Sequence, residues 1–217
     1  NQPMNFTNAN TLTTTSQMFQ GSNIFDCSVI FDDTRNLSNT NSMFSEARNF
    51  NQDLSLNVSS VTDMGFMFNS ASKFNQDLSG WITSSCENMA YMFNNAIAFN
   101  QYLGKWKVSN VTDMSIMFYN ANVFNQDISG WNTSSCTNMA GMFNYAEAFN
   151  QDIGNWKVSK VTDMGWMFYS ATSFNQDLSS WKVDNVTDMG NMFDNASKFN
   201  QDLSGWITSS CTNMAGM

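Results

Sequence analysis

The sequence predicts an α/β solenoid of 25-residue units, each with one short strand and one short helix, stacked into a parallel β-ladder. Three observations predict it. Phe recurs at Phe25, Phe50, Phe74, Phe99, Phe124, Phe149, Phe174 and Phe199, with one step of 24 residues and every other step of 25. A second Phe column, Phe19, Phe44, Phe68, Phe93, Phe118, Phe143, Phe168 and Phe193, runs six residues ahead, each member preceded by Met. Within a unit, apolar residues fall three and four apart and are followed by a polar turn that leads to a Trp.

The helix comes first in the unit. Val111, Met114, Met117, Phe118, Ala121 and Phe124 would form one helical face. Thr112 and Asp113 precede it, residue types that cap free N–H groups at a helix start. The small-residue position is Ala from Ala47 to Ala196, with Ser22 in the first unit, and lets neighbouring helices approach. The strand follows. Asn125-Gln126-Asp127-Ile128-Ser129-Gly130-Trp131 reads as a turn into a short strand whose Ile and Trp point inward. One helix and one strand cannot bury their apolar faces alone, whereas stacked copies can. Strands would then lie about 4.8 Å apart. Asn75, Asn100, Asn125, Asn150, Asn175 and Asn200 would form an amide row along the axis.

Residues 1–60 are divergent repeats of cap-like character: Thr15 and Thr40 stand where later units carry Met, and Asp32 stands at a Trp position. Residues 61–217 hold the regular repeats and stop mid-repeat, which leads to the expectation of a fragment of a longer array. Two unit types alternate imperfectly. Trp81, Trp131 and Trp206 lead to Cys86, Cys136 and Cys211, whereas Trp106, Trp156 and Trp181 are followed by Lys-Val and then by Val.

Charge and composition exclude several functions. Eighteen acidic residues against nine basic ones give a net charge of −9, which argues against nucleic acid, whose phosphates need clustered Lys and Arg. It argues equally against an anionic membrane surface. No apolar stretch reaches the roughly 20 residues that span a bilayer, so no direct membrane insertion is expected. With no His, neither a Ser-His-Asp nor a Cys-His centre can be built, and the chain is expected not to be an enzyme. Cys86, Cys136 and Cys211 share a Val column, two and three units apart, or about 10 and 14 Å at strand spacing. That is too far for disulfides, so they read as buried thiols, leaving Cys27 in a polar column as the one candidate for an intermolecular bond.

The acids recur in columns. Asp63, Asp113, Asp163 and Asp188, alternating with Asn88, Asn138 and Asn213, read as helix caps. Asp127, Asp152, Asp177 and Asp202 belong to another column, where each Asp either bonds its own turn or joins its neighbours in holding calcium; no other cofactor or metal is expected. Seven Asn-x-Ser/Thr sequons occur, of which Asn110, Asn185, Asn132 and Asn57 are the glycosylation candidates. Variation concentrates after Met and after Met-Phe, so a recognition surface, if the chain has one, includes Tyr119, Tyr145, Trp166 and Tyr169.

The unit V-T-D-M-x-x-M-F-x-x-A-x-x-F-N-Q-D-L-S-G-W-x-V-S-x resembles the repeats of the BspA-like leucine-rich-repeat surface proteins, in a variant rich in Phe-Asn-Gln-Asp, Met-Phe and Trp. The resemblance covers nearly the whole chain and is strongest from Val61 onward, although the spacing departs from the L-x-x-L-x-L-x-x-N of ordinary leucine-rich repeats. It implies a leucine-rich-repeat-like fold and an extracellular or cell-surface protein without catalytic residues, engaged in adhesion or surface construction. Two functions follow as expectations. One is a structural or adhesive repeat protein of a surface or extracellular filament, working through self-association or other surface proteins. The alternative is a recognition module that binds protein or glycan along one face.

Overall fold

The computed structural model describes residues 2–217, and regular secondary structure is nearly absent from them. One turn of 3-10 helix, Ala9–Thr11, and two three-residue strands, β1 (Met4–Phe6) and β2 (Val29–Phe31), make up all of it. β1 and β2 pair in parallel, with Met4 opposite Val29 and Phe6 opposite Phe31. The expected fold class is therefore corrected. Among the described residues no unit forms a short helix and a short strand, and no parallel β-ladder of leucine-rich-repeat type runs through them. Beyond β1 and β2, neighbouring units meet through isolated single-residue bridges such as Asp113–Asn138 and Asn138–Asp163.

The segment expected to be helical is a run of linked turns. Met117, Tyr119, Ala121 and Phe124 each donate an N–H to the carbonyl three residues back, at 3.0–3.3 Å. The residues between them point their N–H groups out of the unit. Met114, Ile116, Phe118 and Asn120 donate to Asn138, Ala140, Met142 and Asn144 of the next unit at 2.7–3.0 Å. An α-helix would send each N–H four residues back along its own chain. The cause lies in two positions per unit that take positive φ. One column holds Phe66, Tyr91, Ile116, Gly141, Trp166 and Asn191; the other holds Ser70, Asn95, Asn120, Tyr145, Ser170 and Asn195. Left-handed residues cannot be continued as a right-handed helix, so each one turns the chain, and its own N–H goes to the neighbouring unit while the next one closes a turn within the unit.

The inward pattern survives this change. Val111, Met114, Met117, Phe118, Ala121 and Phe124 are all fully buried. Their rings stack along the axis, Phe93 on Phe118 at 5.6 Å and Phe118 on Phe143 at 5.7 Å, with Phe118 also against Phe124 at 4.1 Å. Each such pair adds about 0.5–1.5 kcal/mol beyond area burial. Ile128 and Trp131 are buried as expected, but in a turn closed by a Trp131 N–H to Ile128 carbonyl bond of 3.1 Å instead of a strand. Four of the buried indoles are also satisfied. Trp106, Trp131, Trp156 and Trp181 each donate Nε1–H to a carbonyl of the preceding unit, at Leu78, Leu103, Ile128 and Ile153, over 3.0–3.2 Å.

Polar side chains complete the stack. The Asn after each Phe works across units, but not by bonding the Asn above it. The Asn125 side-chain oxygen accepts the Asn150 backbone N–H at 2.9 Å and the Gln151 amide at 2.9 Å, and the same pair recurs at Asn150 and Asn175. In the first unit, Asp32 stands where Trp is expected and takes a different part. Its carboxylate accepts the Asn8 and Ala9 N–H groups at the start of the 3-10 turn, bonds that hold it below the usual carboxylate range.

Candidate recognition surface

Three neighbouring columns build the most distinctive surface. Two are the positive-φ columns, and the third lies between them in sequence, after Met-Phe. Across three consecutive units they carry Ile116, Tyr119 and Asn120, then Gly141, Asn144 and Tyr145, then Trp166, Tyr169 and Ser170. Tyr145 and Trp166 are exposed and Ile116, Tyr119, Asn120, Tyr169 and Ser170 half-buried, while Gly141, Asn144 and the Met-Phe pairs beside them are buried.

The structure places all four residues of the expected recognition surface together. Tyr145 packs edge-on between Tyr119, at 5.9 Å and 70°, and Tyr169, at 5.4 Å and 68°. Trp166 closes on Tyr169 at 4.9 Å. Tyr145 is 36% exposed and Trp166 47% exposed. The Tyr169 hydroxyl beside it holds the Tyr145 phenol above its usual range, so Tyr145 is a neutral donor and acceptor at physiological pH. A separate stacked pair, Phe66 and Tyr91 at 4.4 Å, continues the same column toward the N-terminus.

Sequence reasoning missed Asn144. It sits in one column between Tyr119 and Tyr169, it is only 8% exposed, and its buried side-chain oxygen has no hydrogen-bond partner. Earlier in the same column the amides satisfy one another, Asn94 donating to Asn69 at 2.8 Å. The tyrosines on either side deny Asn144 that arrangement. The available signal was an amide flanked one unit away on both sides by aromatic residues.

The remaining candidates are placed as follows. Asp127, Asp152, Asp177 and Asp202 each accept the N–H two residues on, from Ser129, Gly154, Ser179 and Ser204, at 2.8–2.9 Å. Bonds from the Ser129 side chain and backbone hold Asp127 below the usual carboxylate range, and the Ser179 and Ser204 backbones do the same for Asp177 and Asp202. Among the described residues no three acids or thiols lie close enough together to hold a metal ion. The second column caps no helix. Asp113 accepts the Ser115 N–H, and Asn138 the Ala140 N–H, as turn closures. Its Asp–Asn alternation has a function of its own, because the Asn88 amide donates to the Asp63 carboxylate at 2.9 Å and Asn213 to Asp188 at the same distance.

Asn57, Asn110, Asn132 and Asn185 are all exposed. The Asn110 and Asn185 amide nitrogens donate to the Ser84 and Ser159 carbonyls at 2.8 Å, whereas Asn57 and Asn132 use their oxygens to close their own turns. The four cysteines are free; Cys86 and Cys136 are buried, Cys27 and Cys211 less so. Burial pushes the Cys86 and Cys136 thiols up to about 12. Among the described residues no helix is long and apolar enough to cross a membrane.

A family model described as "Mycoplasma protein of unknown function, DUF285" matches residues 1–101, 55–153 and 124–217, three overlapping segments that together run the length of the chain. No curated protein and no solved structure matches.

Proposed function

We propose that this chain, which belongs to the DUF285 family, is a non-catalytic structural or adhesive repeat protein of a cell surface or an extracellular filament. One observation carries the reading: polar groups that recur along the repeat are used to join units. Asn side chains accept the next unit's backbone, indoles bond the previous unit's carbonyls, and Asn amides bond the carboxylates beside them. Such a chain presents a long, regular surface at little cost in specialised residues. The resemblance to the BspA-like surface proteins supports an extracellular setting, with further copies or other surface proteins as partners and no cofactor required. The test is negative-stain electron microscopy of the protein isolated from its source, together with labelling of intact cells by a membrane-impermeant amine reagent. Labelled protein in filaments or sheets with a regular axial repeat is the expected result. Protein protected from the reagent in intact cells would overturn it.

A second reading, a recognition module that binds along one face, is favoured by the contact of Tyr119, Tyr145, Tyr169 and Trp166 in one exposed cluster. Stacking of the units gives no structural reason for three Tyr and a Trp to gather there, since apart from Phe66 and Tyr91 the other units carry no aromatic residue at the same positions.

A further inference from the structure

We propose that the surface formed by Tyr119, Asn144, Tyr145, Trp166 and Tyr169 binds a neutral saccharide, an inference that rests on the recognition reading. Sugar rings present an apolar face of C–H groups and a rim of hydroxyls, and a site for them needs aromatic faces beside fixed polar groups. Both are here. Trp166, 47% exposed, lies against Tyr169, and Tyr145 stands edge-on between Tyr169 and Tyr119, so ring faces and edges alternate across three successive units. Ser170 and Asn120 border the rings in the column that carries Tyr145.

The second observation is independent of the rings. The Asn144 side-chain oxygen is buried and has no donor, an unsatisfied state that calls for a partner. It lies in the column between the two tyrosines and is closed off from the surface, so a sugar hydroxyl reaches it only when the side chains over it part. Charge selects among sugars. Residues 111–123, 136–148 and 161–173 contain no Lys or Arg, whereas Glu147 and Asp163 are present and the whole chain carries −9. A sulfated or carboxylated glycan finds no counter-charge here, so the ligand is uncharged.

The experiment titrates the full 217-residue chain with cello-, malto-, manno- and chito-oligosaccharides, with heparin as the anionic control, by calorimetry and by side-chain amide NMR. The expected result is binding of at least one neutral series and none of heparin. Trp166→Ala and Tyr169→Ala weaken it by about tenfold or more, and Phe66→Ala, outside the cluster, leaves it unchanged. The Asn144 amide resonances shift on saturation, which a purely structural role would not produce. Circular dichroism identical to that of the parent chain establishes that each variant is folded. The proposal is overturned if no neutral oligosaccharide binds, or if Trp166→Ala binds as well as the parent. A displayed-peptide library that yields binders lost in Trp166→Ala, with no saccharide binding, would overturn the saccharide and leave the recognition reading standing. Failure of both would remove that reading as well.

Discussion

Replacing Cys86 and Cys136 together by Val should abolish a specific loss of stability in alkali. Both thiols are buried in a column that Val61, Val111, Val161 and Val186 fill elsewhere, so the substituted side chain has precedent in the same environment. The thiols donate to the Asn88 and Asn138 carbonyls at 3.2 and 3.3 Å, and burial pushes them from 9.0 to about 12. Below pH 9 both the folded and the unfolded thiol keep their protons, and the shift has no effect. Between 9 and about 12 only the unfolded thiol ionises, so stability falls as pH rises, by about 1.4 kcal/mol per pH unit and per thiol. By about pH 10.5 the two together should have lost about 4 kcal/mol, an order-of-magnitude figure. Every other ionisable group is common to the two proteins and cancels in the difference. Urea unfolding followed by Trp fluorescence from neutral pH to about pH 10.5 measures it. The parent and the double variant should differ by about 1 kcal/mol or less at neutral pH and diverge above pH 9. Parallel stability curves across the alkaline range would show that the two thiols ionise alike in the folded and unfolded chain.

Three further outcomes are expected from the same unfolding assay. Trp156→Phe removes the indole bond to Ile128 and leaves that carbonyl without its donor, and should cost about 3 kcal/mol with the cavity included. Ile116→Asn relieves a β-branched residue held at φ 58 and should stabilise the chain by about 1 kcal/mol, reduced by the lost contact of Ile116 over Gly141. Asp163 and Asp188 are bridged on consecutive units without the Asn that separates acids elsewhere in the column. Asp188→Asn should therefore stabilise by about 0.5 kcal/mol at low salt, and the gain should fade as salt is added.

The repeat and the inward-facing residues were legible in the sequence because burial imposes a period whatever the backbone does. Val111, Met114, Met117 and Phe118 point inward from linked turns as they would from a helix. The helix itself was misread for the same reason, since spacings of three and four serve turns with i to i+3 bonds equally well. A signal did exist. The two positive-φ columns carry Gly21, Gly141 and Gly216, and Asn95, Asn120, Asn191 and Asn195, the residues that best tolerate left-handed backbone. Phe66, Tyr91, Ile116 and Trp166 in the same columns masked it. The strand was misread because Ile128 and Trp131, both buried, lie three apart and close a turn, where an alternating strand would place them on opposite faces. In the candidate site the aromatic members could be picked out as departures from the repeat. Asn144 could not, because Asn is the commonest residue in its column and only its neighbours make it an orphan.

Within each run of linked turns, every second N–H goes to the neighbouring unit. Scalar coupling across hydrogen bonds in deuterated protein tests it most directly, at the Phe118 amide. Coupling to the Met142 carbonyl of the next unit, the partner at 2.9 Å, is expected, with left-handed backbone shifts at Ile116 and Trp166. Coupling of the Phe118 amide to the Met114 carbonyl, four residues back, would establish a helix and contradict the account.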